Sequence, residues 1–172
     1  MSRVMTYSRV FPSYHPRAGE PTYFVEKILK GLPHTEMYEP EGLEIDLGMM
    51  AEAETKHHTI RAGHRWKVGD KFSPRVWSGK PYQSKQIIIA PDIEIKKLWN
   101  FEVVIDKKSG YESVRLNDVL LHEINGDQVF MGGHYKWKAI AQNDGLEFDD
   151  FCDWFNKSFS GQIICYNDQI EY

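Results

Sequence analysis

The segment Lys56-His57-His58-Thr59-Ile60-Arg61, followed shortly by Gly69-Asp70, marks the point at which this 172-residue sequence changes character. From here to about residue 121 the chain consists of short runs of alternating apolar and polar residues, separated by Gly, Pro, Asn and Asp. One of these runs is residues 71–77, in which Pro74 predicts an edge strand or a bulge. Many short strands with turn signals between them favour a barrel or sandwich over βαβ units.

Amphipathic helices are predicted on both sides of this β region. Apolar residues recur at helical spacing over residues 22–31 and again over residues 147–159, and residues 162–166 are predicted as a closing strand. The sequence therefore predicts an α+β fold, in which a mostly antiparallel β-barrel is flanked by helices.

The length suits a single domain over residues 1–172, because globular domains most often have about 100 to 150 residues. Residues 32–55 contain seven acidic and no basic residues. Together with several Pro and Gly residues, this composition predicts an acidic, loop-rich insertion over residues 33–55.

The cysteine and hydropathy patterns indicate a cellular location. Cys152 and Cys165 form no CxxC pair, so we expect a reducing compartment and place the protein in the cytoplasm. The sequence has no apolar run near the roughly 20 residues of a membrane span, and its N-terminal residues do not resemble a secretory signal. We expect no membrane partner and no cofactor.

Positive charge is concentrated in one segment of a chain whose formal net charge is -4. Residues 56–86 contain eight basic residues and one acidic residue. A local excess of Lys and Arg favours an anion site, whereas the alternative is an exposed strand face that lysines keep soluble.

Cations and aromatic residues alternate in this segment. Such interleaving is typical of grooves that hold unpaired bases, although ordinary surface charge, and a core position for Trp77, are the alternatives. The predicted ligand-binding residues are Arg61, Arg65, Trp66, Lys67, Trp77, Lys80 and Tyr82.

Three histidines in the same region, His57, His58 and His64, do not predict a metal site. Adjacent strand residues face opposite ways, no third ligand has suitable spacing, and nearby lysines would repel a cation.

The Lys56 to Arg61 segment, the Gly69-Asp70 turn and the later Asn143-Asp144-Gly145-Leu146 resemble the ASCH domain of the PUA-like superfamily in order and spacing. The resemblance covers nearly the whole chain apart from residues 33–55. It implies a small barrel with a cleft beside Lys56, a scaffold used for RNA or modified nucleobases.

Some small members of this family are amidohydrolases that remove the acetyl group from 4-acetylcytidine with a Lys, a Thr and a Glu. The resemblance implies Lys56, Thr59 and Asp144 in these roles, with the shorter Asp in place of Glu. If the backbone bends there, we expect Lys56 to activate the Thr59 hydroxyl and Asp144 to serve the leaving group. A second departure is Glu54, where the family usually has Gly. Other members are ribonucleases.

Alternatives remain for each of these three residues. In an extended strand, Lys56 and Thr59 point to opposite faces unless the backbone bends, and Thr59 suits a strand in any case. Asn143-Asp144-Gly145 is also a turn and helix-entry signal. We therefore predict binding of RNA or a modified nucleobase or nucleoside in a basic, aromatic-lined cleft; amidohydrolase and ribonuclease activity are the alternatives.

Overall fold

The structure, a computed structural model, describes residues 2–32 and 38–172. Its helices are α1 (Phe24–Gly31), α2 (Leu47–Glu52), α3 (His134–Asn143) and α4 (Phe148–Trp154). Its first five strands are β1 (Arg3–Thr6), β2 (His58–Ala62), β3 (Lys71–Trp77), β4 (Gln86–Ile88) and β5 (Ile93–Glu94). The others are β6 (Lys97–Asp106), β7 (Tyr111–Leu116), β8 (Val119–Asn125), β9 (Gln128–Phe130) and β10 (Phe159–Cys165).

The strands form two sheets. The smaller has the order β1-β3-β4, with β5 also pairing with β3, and the larger has the order β2-β10-β6-β7-β8-β9. Strand β1 runs parallel to β3, and every other strand pair is antiparallel in the part of the chain that is described.

The predicted barrel is wrong. Within residues 2–32 and 38–172 neither sheet closes, because the terminal strands of the larger sheet, β2 and β9, do not pair with each other. Alternation identifies individual strands, but closure depends on pairing between their distant ends. The fold is α+β and mostly antiparallel, with two open sheets.

The larger sheet is covered on both faces. Residue Ile163 of β10 belongs to a core with α3 and α4, whereas its neighbour Ile164 belongs to a core with the smaller sheet. Successive strand residues point to opposite faces, so β10 is buried on both sides. The helix α1 supplies Phe24 to the first core and Ile28 to the second.

The predicted helices are present with different ends. Helix α1 begins at Phe24 rather than at residue 22, and the helix predicted over residues 147–159 ends at Trp154, after which β10 starts at Phe159. Sequence analysis missed α3, whose buried face consists of Trp137, Ile140 and Ala141 in an otherwise polar segment.

The acidic insertion packs partly against α1. Residues 33–37 of this segment lie outside the described residues. Beyond them, Leu43 and Ile45 pack against the core beneath the smaller sheet, and the Lys30 amine donates to the carbonyls of Ala51 and Ala53. None of the described helices has the length and apolar character needed to cross a membrane.

Candidate functional site

Lys56 lies just before β2, between α1 and β10. Its backbone N–H donates to the Lys27 carbonyl at 3.1 Å, and its own carbonyl accepts a 2.7 Å hydrogen bond from the Tyr166 hydroxyl. Two distant elements therefore fix the backbone from which the Lys56 side chain extends.

Asp144 reaches the same place from the end of α3. The Gly145 N–H bonds to the Gln142 carbonyl and the Leu146 N–H to the Ala141 carbonyl, which is the Schellman arrangement of a helix C-terminus. Asp144 therefore lies at the C-terminus of a helix, whereas the sequence pattern had suggested the start of one.

Gly145 allows this helix end to approach Lys56 closely. Its φ of +75° is a left-handed conformation that favours glycine. A Cβ atom there would lie 3.2 Å from the Lys56 Cβ, closer than most side chains tolerate. The glycine after Asp144 is therefore part of how the site is assembled.

The Lys56 Nζ and the Asp144 Oδ1 are 2.7 Å apart, and the two side chains are 1% and 8% exposed. The amine also donates to the Asp144 backbone carbonyl and lies 4.2 Å from the centroid of the Phe24 ring. Lys56 and Asp144, predicted as site residues, meet in a buried ion pair.

His58 is a third member of this cluster, which the sequence analysis did not place in the site. It is completely buried, and its Nδ1 lies 3.4 Å from the Asp144 Oδ1. The signal that could have revealed it is its spacing, because residues two apart in a strand share a face. We refer to Lys56, Asp144 and His58 as the lysine site.

Burial and the ion pair shift the pKa values of the lysine site in different ways. Burial lowers the pKa of Lys56 to about 8, although the Asp144 carboxylate opposes this change. Burial alone would raise the pKa of Asp144, but the nearby Lys56 charge and the adjacent His58 imidazole bring it below its usual value. Burial also lowers the pKa of His58. Near neutral pH the site thus holds a carboxylate, a neutral imidazole and an amine that loses its proton easily.

Thr59 is buried but faces away from the lysine site. It pairs with Ile164 of β10, whereas His58 pairs with Cys165, and residues directly opposite each other in a sheet share a face. Among the described residues, Thr59 forms no hydrogen bond with Lys56 or with Asp144. The structure brings two of the three predicted catalytic residues together.

Arg61 also lies on the Thr59 face. One of its terminal nitrogens donates to the Thr6 carbonyl at 2.7 Å, and its guanidinium lies 5.0 Å from the centroid of the Tyr7 ring. Arg61 therefore joins the two sheets at the edge of β2.

Trp66 is a core residue. It is 4% exposed, and its backbone hydrogen-bonds to the Gln162 side chain of β10. Its neighbours Arg65 and Lys67 are exposed. The Arg65 guanidinium lies 5.9 Å from the centroid of the Trp66 ring, but the ring is buried and offers no open face to a base.

Trp77, Lys80 and Tyr82 gather at the turn between β3 and β4. The Trp77 and Tyr82 rings have centroids 5.3 Å apart, Tyr82 is 89% exposed, and Lys80 is exposed beside them. We call these three residues the hairpin platform. The predicted ligand-binding residues thus fall into three places rather than one cleft.

A pocket of about 580 Å³ shares one residue with the surroundings of Lys56. Its walls are the start of α1, Arg9 and the segment from Leu43 to Leu47 of the acidic insertion. The Phe24 ring lines this pocket and also contacts the Lys56 amine.

The described residues contain no group of three or more His, Cys, Asp or Glu side chains arranged to hold a metal ion. Burial raises the pKa of Cys152 to about 12 and that of Cys165 to about 11. Neither thiol is a nucleophile near neutral pH.

No protein-family model matches this chain, and no curated protein or solved structure matches it either. The resemblance to the ASCH family therefore stays a prediction.

Proposed function

We propose that this protein is an amidohydrolase that removes an acyl group from the exocyclic amine of a cytosine-type base, with the lysine site as its acid–base centre. The observation that carries the proposal is Lys56, a buried lysine with a pKa of about 8 and a carboxylate at 2.7 Å. A general base works best when its pKa lies near the working pH, and enzymes tune lysines in this way by burial.

Lys56 is suited to carry the proton in both halves of the reaction. As a free amine it accepts a proton from the attacking water, whose oxygen bonds to the amide carbon. As an ammonium it then returns that proton to the leaving nitrogen when the C–N bond breaks. The products are a carboxylic acid and a free amine, so no oxidant or metal is needed.

Asp144 supports this proton transfer without itself donating a proton. Its lowered pKa keeps it ionised near neutral pH, so it is a poor acid for the leaving amine. Its negative charge stabilises the Lys56 ammonium that forms during attack. This division of roles differs from the sequence-based expectation, in which Asp144 served the leaving group.

Access to Lys56 requires movement of Phe24. The amine is nearly inaccessible, and Phe24 both contacts it and lines the 580 Å³ pocket, whose volume suits a nucleoside. The proposal therefore includes a movement of the Phe24 side chain that opens the pocket to the lysine site, and Phe24→Leu is expected to change KM more than kcat.

The proposal is tested by measuring acetate release from 4-acetylcytidine. We expect the natural protein to release acetate, Lys56→Met to release none, and the exposed control Lys136→Met to behave as the natural protein. Release by Lys56→Met, or none by the natural protein, would refute the proposal.

A second candidate function, binding of single-stranded RNA, is favoured by the hairpin platform. The exposed Tyr82 ring, tilted against Trp77, offers a face to an unpaired base, and exposed Lys80 and Lys85 offer charge to phosphates. We propose this surface, rather than a cleft beside Lys56, as the place of RNA contact.

Fluorescence anisotropy with a labelled RNA oligonucleotide tests this second candidate. We expect Tyr82→Ala and Lys80→Ala each to weaken binding severalfold and Lys80→Ala to reduce its salt dependence. The control Lys108→Ala removes an equal charge from the β6–β7 turn and should have no effect. Equal affinity in all variants would exclude the hairpin platform as the RNA site.

A further inference from the structure

We propose that His58 is a positioning residue that holds the Asp144 carboxylate in place when the Lys56 amine turns from it toward the reacting atoms. The catalytic part of this inference rests on the proposed amidohydrolase function. The positioning itself concerns contacts within the protein and can be tested without a substrate.

The first observation is that His58 is a polar residue in an apolar position. It is completely buried, its strand neighbour Ile60 belongs to the core with α3 and α4, and its register partner Cys165 is also fully buried. Neither ring nitrogen makes a hydrogen bond within the described residues. An aliphatic side chain would avoid the cost of these unbonded polar atoms, so the imidazole calls for an explanation.

The second observation is the set of groups that face the His58 ring. The Asp144 carboxylate lies 3.4 Å from Nδ1, and the Ile140 carbonyl of α3 is a second acceptor nearby. The Lys56 ammonium opposes a positive charge on the ring, and a charge on the ring would in turn lower the pKa of the adjacent His57. The Tyr172 ring meets the imidazole edge at 5.8 Å between centroids. A neutral imidazole has a single N–H, so it can donate to only one of the two acceptors at a time.

The third observation is that Asp144 has one short contact and one long contact. Lys56 is at 2.7 Å from Oδ1, whereas His58 is at 3.4 Å from the same atom and does not form a full hydrogen bond. When the amine leaves to act as a base, a buried carboxylate would lose its principal partner. A modest approach of the His58 N–H would replace it, so Asp144 stays ionised and correctly placed for the returning ammonium.

The test follows the pKa of Lys56 by NMR of its side chain in the full chain, without substrate. Without the His58 donor, the Asp144 carboxylate is stabilised mainly by the Lys56 ammonium, which favours the charged form of the lysine. In His58→Leu we therefore expect the pKa of Lys56 to rise by about 0.5 or more. His58→Asn, whose amide can replace the Nδ1–H donor, is expected to return the pKa most of the way to the natural value.

A purely structural role for His58 predicts a different pattern, with changed thermal stability and an unchanged Lys56 titration. If folded His58→Leu leaves the Lys56 pKa within about 0.2 of the natural value, or if His58→Asn behaves like His58→Leu, the inference fails. Should the natural protein hydrolyse no acyl substrate while the Lys56 pKa shifts as expected, the proposed function fails and the positioning role stands. If His58→Leu does not fold, the His58→Asn titration decides, and a rise as large as 0.5 there would overturn the inference.

Discussion

The lysine site and the hairpin platform each contain one lysine, in opposite surroundings. Each places a lysine near an aromatic ring, but Lys56 is 1% exposed beneath Phe24, whereas Lys80 is exposed beside Tyr82. Burial moves the Lys56 pKa toward neutrality, which suits proton transfer. An exposed lysine stays charged and suits phosphate binding.

Breaking the buried pair should have the largest effect on the molecule. Lys56→Met leaves Asp144 buried without its partner, which is expected to lower the free energy of unfolding by about 3 to 5 kcal/mol. The double variant Lys56→Met/Asp144→Leu should recover most of this stability, because an apolar pair replaces an ion pair, while hydrolysis stays absent. Urea unfolding measures the first effect and acetate release the second.

The control for this experiment is the hairpin variant Lys80→Met, which should change the free energy of unfolding by less than about 0.5 kcal/mol. A similar loss in Lys80→Met and Lys56→Met would contradict the contrast between the two regions. Recovery of hydrolysis in the double variant would show that the lysine site is structural.

The pH dependence of hydrolysis sharpens the comparison, because it reports the buried lysine alone. A pKa of about 8 means that the free amine makes up about 1% of Lys56 at pH 6 and about half at pH 8. We therefore expect kcat/KM to rise about fiftyfold between these pH values and to level off above them.

Asp144→Asn tests the direction in which the Asp144 carboxylate shifts the Lys56 pKa. The Asp144 carboxylate opposes the loss of the Lys56 proton. Removing this carboxylate should therefore move the rising part of the profile of kcat/KM against pH to lower pH. An unchanged profile of kcat/KM against pH would mean that a group other than Lys56 is the general base.

Thr59→Val tests the division of β2 into two faces with a smaller expected effect. Because Thr59 faces the core under the smaller sheet, loss of its hydroxyl should reduce hydrolysis at least tenfold less than Lys56→Met does. Thr59→Ser is the matched control, since it keeps the hydroxyl. If Thr59→Val is as inactive as Lys56→Met while Thr59→Ser is active, the Thr59 hydroxyl is the nucleophile. Thr59 would then face the lysine site, contrary to its register with Ile164.

The smallest effect is expected for stability at the hairpin platform. Tyr82→Ala removes a ring that is 89% exposed and lies tilted against Trp77, so we expect a change below about 0.5 kcal/mol in urea unfolding. A loss above about 2 kcal/mol would mean that the turn is part of the core.

The strands were predictable where local pattern decides. Residues 71–77 were predicted as a strand with the bounds that β3 has, because alternation and flanking turns are properties of neighbouring residues. Barrel closure was not predictable in this way, since it depends on whether β2 meets β9, about 70 residues away. The prediction of closure failed at this step.

Part of the lysine site was also predictable. Lys56 and Asp144 were singled out by a resemblance of short motifs, and their side chains meet. The role of Asp144 at a helix end was not visible, because Asn143-Asp144-Gly145 suits the exit from a helix as well as its entry. Helix α3 was missed because three buried residues in a polar segment give a weak periodic pattern.

The pairing of β2 with β10 has a consequence for the order in which parts of the chain fold. The contacts that form the lysine site join residues 88 positions apart in Lys56 and Asp144, and 110 apart in Lys56 and Tyr166. Contacts of such separation form late, because the entropy lost in closing a long loop is recovered only when both ends have docked. During synthesis from the N-terminus, β1, α1 and the smaller sheet emerge well before α3 and β10. The nascent chain therefore carries a lysine with an ordinary, water-exposed amine, and that amine acquires its unusual acidity in one of the last steps of folding.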